Sequence, residues 1–322
     1  MSGFRTQQIK LQVGQQATKG TAVPATRRLS LLTKRSFKPN AEKLILSSLG
    51  SLDPVKQVVP ISLLPSGSIE GSVTPRQMVY FLTSMLGEPT PVAAGANFKW
   101  TFQNPGEDFN YSYLTQEFVD GLSGGINYIL KDCIYTMLEL KGQPDKVTNF
   151  KADFMALGLE TGTATALTED DSLAVNPLKT KLYIDNFGVA PFTTLYTQGG
   201  VEFTLKYDSK AEAVKYIGAE DIEFQLPESE LTFKMKWGSV AKSIFDTEIT
   251  TFLTKKVIGF SLVDEVSGHG IKVTFCGMVK EIPEVPSDEK GVTVAEYVFS
   301  PVTDPALGYW MNIEVITDIS AL

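Results

Sequence analysis

Val201-Glu202-Phe203-Thr204-Leu205-Lys206-Tyr207 alternates apolar and polar residues without a break. Successive side chains of a β-strand point to opposite faces, so the stretch reads as a strand with one buried and one polar face. That is the habit of antiparallel sheets, whereas parallel strands read as continuous apolar runs. The same period recurs outward from it. Leu231, Phe233, Met235 and Trp237 share one face, and Thr232, Lys234 and Lys236 the other. Phe150, Ala152, Phe154 and Ala156 alternate with Lys151, Asp153 and Met155, and Ile271-Lys272-Val273-Thr274-Phe275 repeats the pattern. The chain is therefore expected to be mainly β.

Helical signals are few. Thr74 is a good N-cap and Pro75 suits the first helical position. Met78, Val79, Leu82, Met85 and Leu86 then form an apolar stripe, which Gly87 can end before Pro89. A second helix is expected from Asp246 through Ile249, Phe252 and Leu253, closing on Lys255 and Lys256, where cations suit a helix C-terminus.

These elements suggest a repeat. Met78, Phe81 and Leu82 correspond to Ile249, Phe252 and Leu253 at an offset of 171, and Phe37 and Ala41-Glu42 to Tyr207 and Ala211-Glu212 at 170. Cys133 and Cys276 stand 143 apart, so the first half holds an extra segment around residues 90–118. Residues 158–176, rich in Gly, Thr, Ala and Asp, read as a connection. The expected division is an N-terminal arm (1–27), a first β domain (28–160), a linker (161–176) and a second β domain (177–322).

Composition narrows the function. The 322 residues carry 37 Asp plus Glu against 29 Lys plus Arg, a net charge of −8. Proteins that grip nucleic acid carry basic stripes. Here the nearest approach is the short cluster Arg27, Arg28, Lys34, Arg35 and Lys38. Stable DNA binding is not expected, although an acidic surface can face DNA without holding it. The opening MSGFRTQQIK lacks the apolar core of a signal peptide, and no apolar run approaches a membrane span. Two cysteines outside any CxxC pair fit a reducing compartment.

Chemistry-bearing motifs are sparse. The single histidine, His269, lies in Ser-Gly-His-Gly and reads as a turn residue; a metal site needs several convergent ligands. No phosphate-binding glycine loop is present. Gly121-Leu122-Ser123-Gly124-Gly125 matches GxSxG, but a nucleophile elbow joins a strand to a helix. Here both flanks look extended, so the stretch reads as a hairpin loop. Asp170-Asp171, Glu220-Asp221 and Asp288-Glu289 read as loop charge, and Asn110-Tyr111-Ser112 carries no weight without a secretory signal. No catalytic residue, metal site or cofactor is expected.

Gln12-Val13-Gly14-Gln15-Gln16-Ala17-Thr18-Lys19-Gly20-Thr21-Ala22-Val23-Pro24-Ala25-Thr26 resembles the opening of phage tail tube proteins. Gly71-Ser72-Val73 leading to Met85-Leu86-Gly87 is similar to that family's strand-to-helix turn. Asp132-Cys133 followed by Met137-Leu138-Glu139-Leu140-Lys141 is similar to its middle strand, and Pro305 to Ile313 to its closing strand. The resemblance implies tandem β-barrel or sandwich domains, each with a short flanking helix. It implies rings of six such domains, hence three two-domain chains per ring, stacked into a tube through which double-stranded DNA passes. It further implies a place in the virion tail after assembly in the host cytoplasm. Implied partners are further copies of the chain, a tape measure protein, a tail terminator and baseplate or distal tail proteins; no membrane is involved. Tail terminators and baseplate hubs share the implied fold, as do the tubes of flexible and contractile tails.

The loops Lys38–Val58 and Asp208–Asp221 are too long for tight hairpins and mix charge with apolar residues. Leu44, Ile45, Leu46, Leu49, Leu52, Val214 and Ile217 are therefore the candidate contacts between subunits or rings. The bore is expected to be net negative. Two other classes compete. A carbohydrate-binding or adhesin-like β-sandwich would display exposed aromatics, with Trp100, Trp237 and Trp310 as candidates. A hydrolase would use Ser123 with His269.

Overall fold

Alternation of the kind seen in residues 201–207 dominates the molecule, a computed structural model that describes residues 9–46, 57–104, 111–120, 126–143, 146–170, 174–175, 180–216, 219–264, 267–283, 287–289 and 292–322. The first half contains β1 (Lys10–Gln15), β2 (Arg27–Arg28), β3 (Leu32–Lys38), β4 (Ala41–Leu46), β5 (Gln57–Leu63), β6 (Ser66–Ser72) and helix α1 (Pro75–Leu86). It continues with β7 (Val92–Ala94), β8 (Asn97–Gln103), β9 (Leu114–Val119), β10 (Asn127–Gly142), β11 (Asn149–Met155) and β12 (Gly158–Gly162). The second half contains β13 (Lys181–Asn186), β14 (Gly200–Asp208), β15 (Ala211–Tyr216), β16 (Ala219–Phe224), β17 (Glu228–Lys236) and helix α2 (Ser239–Thr251). It ends with β18 (Lys255–Val263), β19 (Gly270–Val279), β20 (Ser287–Glu289), β21 (Val292–Pro301) and β22 (Met311–Thr317).

The fold is mainly β, with sandwich character; among the described residues the pairings branch and none closes a barrel. One order of antiparallel neighbours occurs twice. In the first half it runs β1-β9-β10-β11-β6-β3. In the second it runs β13-β18-β19-β21-β17-β14. Register agrees in detail. Cys133 faces Leu114, and Cys276 faces Val257, each pair shifted by the same 143 positions. Asn40 and Lys210, 170 apart, are both non-glycine residues with positive φ, each just before a hairpin. These hairpins, β4–β5 and β15–β16, form separate two-stranded sheets.

Both expected helices exist, but one is displaced. α1 has Thr74 at the N-cap position, although its hydroxyl makes no capping hydrogen bond, with Pro75 first and Gly87 at its end. α2 begins at Ser239, seven residues before the expected Asp246, and ends on Phe252 in the left-handed region. The helices are thus offset by 164 rather than 171. Seven residues are close to two turns, so the shift returns nearly the same face and the apolar pattern alone does not resolve it.

Two segments at the edges of the expected domains are woven into sheets. The N-terminal stretch contributes β1, paired with β9, and the stretch after β11 contributes β12, paired with β10. One apolar core spans both halves, including Phe81, Trp100, Phe154, Phe233, Phe260 and Phe299.

Candidate assembly interface

β10 is sixteen residues long and changes partners along its length. Asp132 adopts φ 53, and the register with β9 shifts between Leu130 and Cys133. Before the irregularity β10 pairs with β9 and β12; beyond it β9 keeps only Cys133, and the strand pairs with β11 and with β14 of the second half. A second junction joins β8 to β22 over six residue pairs. Between these junctions Leu82, Leu86, Leu138, Leu140, Leu205, Tyr207, Met311 and Ile313 surround a hollow of only about 10 Å³. The halves are thus joined by continuous sheet and by a shared apolar filling. At the seam Lys141 of β10 pairs with Glu202 of β14; within the second half Lys234 pairs with Glu296 at 3.5 Å and Lys280 with Glu230 at 2.9 Å.

The two hairpins hold the described assembly candidates and differ sharply. Every residue of β4 is exposed, Leu44, Ile45 and Leu46 included, with Ile45 at 61 %. Val58, Ile61 and Leu63 on β5 are exposed too, so the ribbon shows apolar side chains that its own chain leaves uncovered. β15–β16 instead leans on the first half. Its Ala211 and Ile222 pack with Ile134, and Tyr111, Tyr113, Met155, Leu157 and Phe224 close around them. Lys19 pairs with Asp221 at 2.6 Å, and the Tyr111 hydroxyl donates to the Ile222 carbonyl at 3.2 Å. Val214 is half-buried on β15. An ion pair between Glu42 and Lys215 links the two ribbons. Leu49, Leu52 and Ile217 lie outside the described residues.

The opening segment is held by buried carboxylates. Glu117 on β9 accepts from Gln12 Nε2 (2.9 Å), the Ala25 amide (3.1 Å), and the Thr165 amide (2.8 Å) and hydroxyl (2.7 Å). Asp132 accepts from Gln16 Nε2 (3.2 Å) and the Gly20 amide (2.6 Å). A Cβ on Gly14 would lie 2.6 Å from the Pro24 carbonyl oxygen, and Gly20 has φ +82, so two glycines of the opening are required by the backbone. Two loops of the second half are held likewise. Asp185 accepts from the Thr193 and Thr194 amides (3.2 and 2.7 Å), and Asp304 from the Gly188 amide (2.6 Å). Burial pushes the Asp185 carboxyl up, and the bonds from Thr193 and Thr194 more than offset it, leaving it below its ordinary range. Sequence reasoning saw no role for Glu117, Asp132 or Asp185, because nothing local distinguishes a buried carboxylate from a solvated one.

Residues singled out for chemistry stand apart. His269 hydrogen-bonds Asn97 at 2.9 Å in a turn. Ser123 lies outside the described residues. Cys133 and Cys276 are free and buried; burial pushes the Cys133 thiol well up and the Cys276 thiol to about 12. Among the described residues no group of three metal-binding side chains converges, and no helix is long and apolar enough to cross a membrane. Trp100 is fully buried, whereas Trp237, packed on Phe245, and Trp310, stacked on Tyr207, are half-buried.

A comparison with curated proteins finds no match. A family model described as phage tail tube protein matches residues 6–299, nearly the whole chain. Over that span the match shows the family: the chain belongs to the phage tail tube protein family, whose members are structural rather than enzymatic.

Proposed function

We propose that this chain is the wall subunit of a phage tail tube, assembling into rings that stack around a bore for double-stranded DNA. The observation that carries the reading is the repeated strand order joined edge to edge by β10 and β14. The two halves act as two tube domains, the first ending near residue 160 and the second starting near 177. β14 fills the flank of β10, whereas its counterpart β3 pairs only with β6 among the described residues. A ring forms when β3 of one copy meets, near the β19–β20 region of the next, the counterpart of that flank. The internal seam is then repeated between chains. If six domains complete a ring, three copies suffice.

The candidate contacts Leu44, Ile45, Leu46, Leu49 and Leu52, with Val214 and Ile217, serve contacts between copies on this reading. The bore is net negative, because a cationic wall would release counterions and hold the phosphates, ring upon ring. A negative wall keeps DNA off across a gap comparable to the Debye length, about 8–10 Å. The tube forms in the host cytoplasm, contains a tape measure protein before DNA, and ends on terminator and distal tail proteins. Electron microscopy of the purified protein tests this. Rings or tubes with three copies per ring are expected, and retention of no double-stranded DNA at physiological salt. A protein that stays monomeric at high concentration, or rings of six copies, would overturn the assembly.

A further inference from the structure

The apolar filling between the halves has two walls. The first half supplies Leu82 of α1 with Leu138 and Leu140 of β10; the second supplies Leu205 and Tyr207 of β14 with Ile313 of β22. All six are buried.

Each wall occurs a second time, on an outer edge of the chain. The helices are offset by 164, so Asp246 of α2 stands where Leu82 stands and Ile249 where Met85 stands. Both are exposed, as are Phe252 and Leu253 just beyond the helix. Residues 34–38 and 204–208 run without a bulge into hairpins that begin 170 positions apart. Arg35 therefore stands where Leu205 stands, and Phe37 where Tyr207 stands. Leu159 of β12 faces Leu130 of β10 as Ile313 of β22 faces Val273 of β19, and Leu130 and Val273 are 143 apart, like the two cysteines. Arg35, Phe37 and Leu159 are only half-buried, whereas their counterparts are closed off from water. A seam that is shut inside the chain is thus present as two open walls at its edges.

The open walls differ from the closed seam in charge. Leu82 and Leu205 border the same small hollow, and their counterparts are a carboxylate and a guanidinium. Asp246 makes no ion pair among the described residues. Burial, and then the nearby Arg28, disfavour the charge of Arg35 and lower its pKa. A guanidinium has five donors, enough to serve a further carboxylate. Either residue alone would put an unmatched charge into an apolar seam; the two together complete it.

We infer that α2 of one copy packs on β3 and β12 of the next copy in the ring, with Asp246 on Arg35 and with Ile249, Phe252 and Leu253 over Phe37 and Leu159. The inference rests on the ring proposed above and names its lateral contact. It also fixes which edges meet. β3 of another copy cannot replace β14 beside β10, because Arg35 would be buried among Leu82, Leu138 and Leu140, where no carboxylate stands. First halves therefore meet second halves only.

The test exchanges the charges in the full chain. Asp246→Arg and Arg35→Asp should each lower the assembled fraction about tenfold or more, measured by sedimentation and microscopy, and the double variant should regain most of it. Rings at the parent's level from either single variant would overturn the inference. So would a double variant that melts at the parent's temperature and does not assemble. A second arm, Asp246→Cys with Leu159→Cys, covers the case in which Arg35→Asp does not fold; the native cysteines are buried. Mild oxidation of assembled protein should give covalent species that stop at three copies. A ladder running past three copies, or no cross-link in assembled protein, would overturn the inference. If the unaltered chain never forms rings, the proposed function fails first, which the microscopy shows separately.

Discussion

Helices α1 and α2 follow equivalent strands, yet one is core and the other is surface. Met78, Val79, Phe81, Leu82 and Met85 of α1 are all buried, whereas α2 buries Ala241, Ile244 and Glu248 alone. Leu82, in the filling between the halves, has Asp246 as its counterpart, and Met85 has the exposed Ile249. The cause lies outside the helices. β8 and β22 pack over α1 together with β10, and β8 belongs to the segment present only in the first half. The same strand-to-helix device thus becomes an interior or a surface according to what its neighbours supply.

The contrast is sharpest at Leu82. Leu82→Asp, which copies the α2 residue, would place an unpaired charge among Leu86, Leu138 and Leu205. It should cost about 4 kcal/mol or more, seen as loss of cooperative unfolding in denaturant. Asp246→Leu should stay within about 0.5 kcal/mol of the parent. Comparable costs for the two would break the comparison.

Aromatic packing comes next. The Phe81 ring lies 4.6 Å from that of Tyr135 and 5.0 Å from that of Phe150. Phe81→Ala should therefore cost about 4 kcal/mol, and Ile249→Ala about 0.5 kcal/mol or less, measured by chemical unfolding. The helix ends differ by less. α1 stops on Gly87, but α2 stops on Phe252 at φ 53, with its side chain 66 % exposed. Phe252→Gly relieves the left-handed backbone and should raise stability by about 1 kcal/mol; a lower thermal midpoint would show that the ring is held by contacts.

The smallest effect concerns pH. Arg76 lies in the first turn of α1, where a cation opposes the helix dipole, and it pairs with Asp170 and with Asp318, the latter at 2.5 Å. The hydrogen bond from Arg76 holds the Asp318 carboxyl below its ordinary range. A depressed carboxyl stabilises the fold above its unfolded pKa and loses that contribution as pH falls through the folded value. The parent should lose stability in acid more steeply than Asp318→Asn, by a few tenths of a kcal/mol, since the pair is partly solvated. Parallel curves would remove the pair from the account.

Much of this was legible early because it is local. Strand faces followed from alternation: Leu231, Phe233 and Met235 are buried and Lys234 is not. The start and stop of α1 follow from Thr74, Pro75 and Gly87. The sequence places α2 seven residues late because Ile249, Phe252 and Leu253 repeat the phase of an apolar stripe, though all three are exposed. Among the described assembly candidates, Leu44, Ile45 and Leu46 are exposed, whereas Val214 sits on a ribbon already leaning on its own chain. Loop composition reports apolar residues but not whether the same chain covers them.

By itself the sequence determined the β character, the antiparallel faces, one helix with both its ends, and a repeat with offsets of 170 and 143. Each depends on residues close in the chain or on spacing that the chain keeps. Tertiary structure alone decided that β14 continues the sheet of β10, that α1 is buried and α2 is not, and that Glu117 and Asp132 hold the opening segment. It also decided that one ribbon is covered while its twin is bare. These are contacts between residues from tens to more than two hundred positions apart, and an amino acid's chemistry carries no record of which distant surface removes it from water.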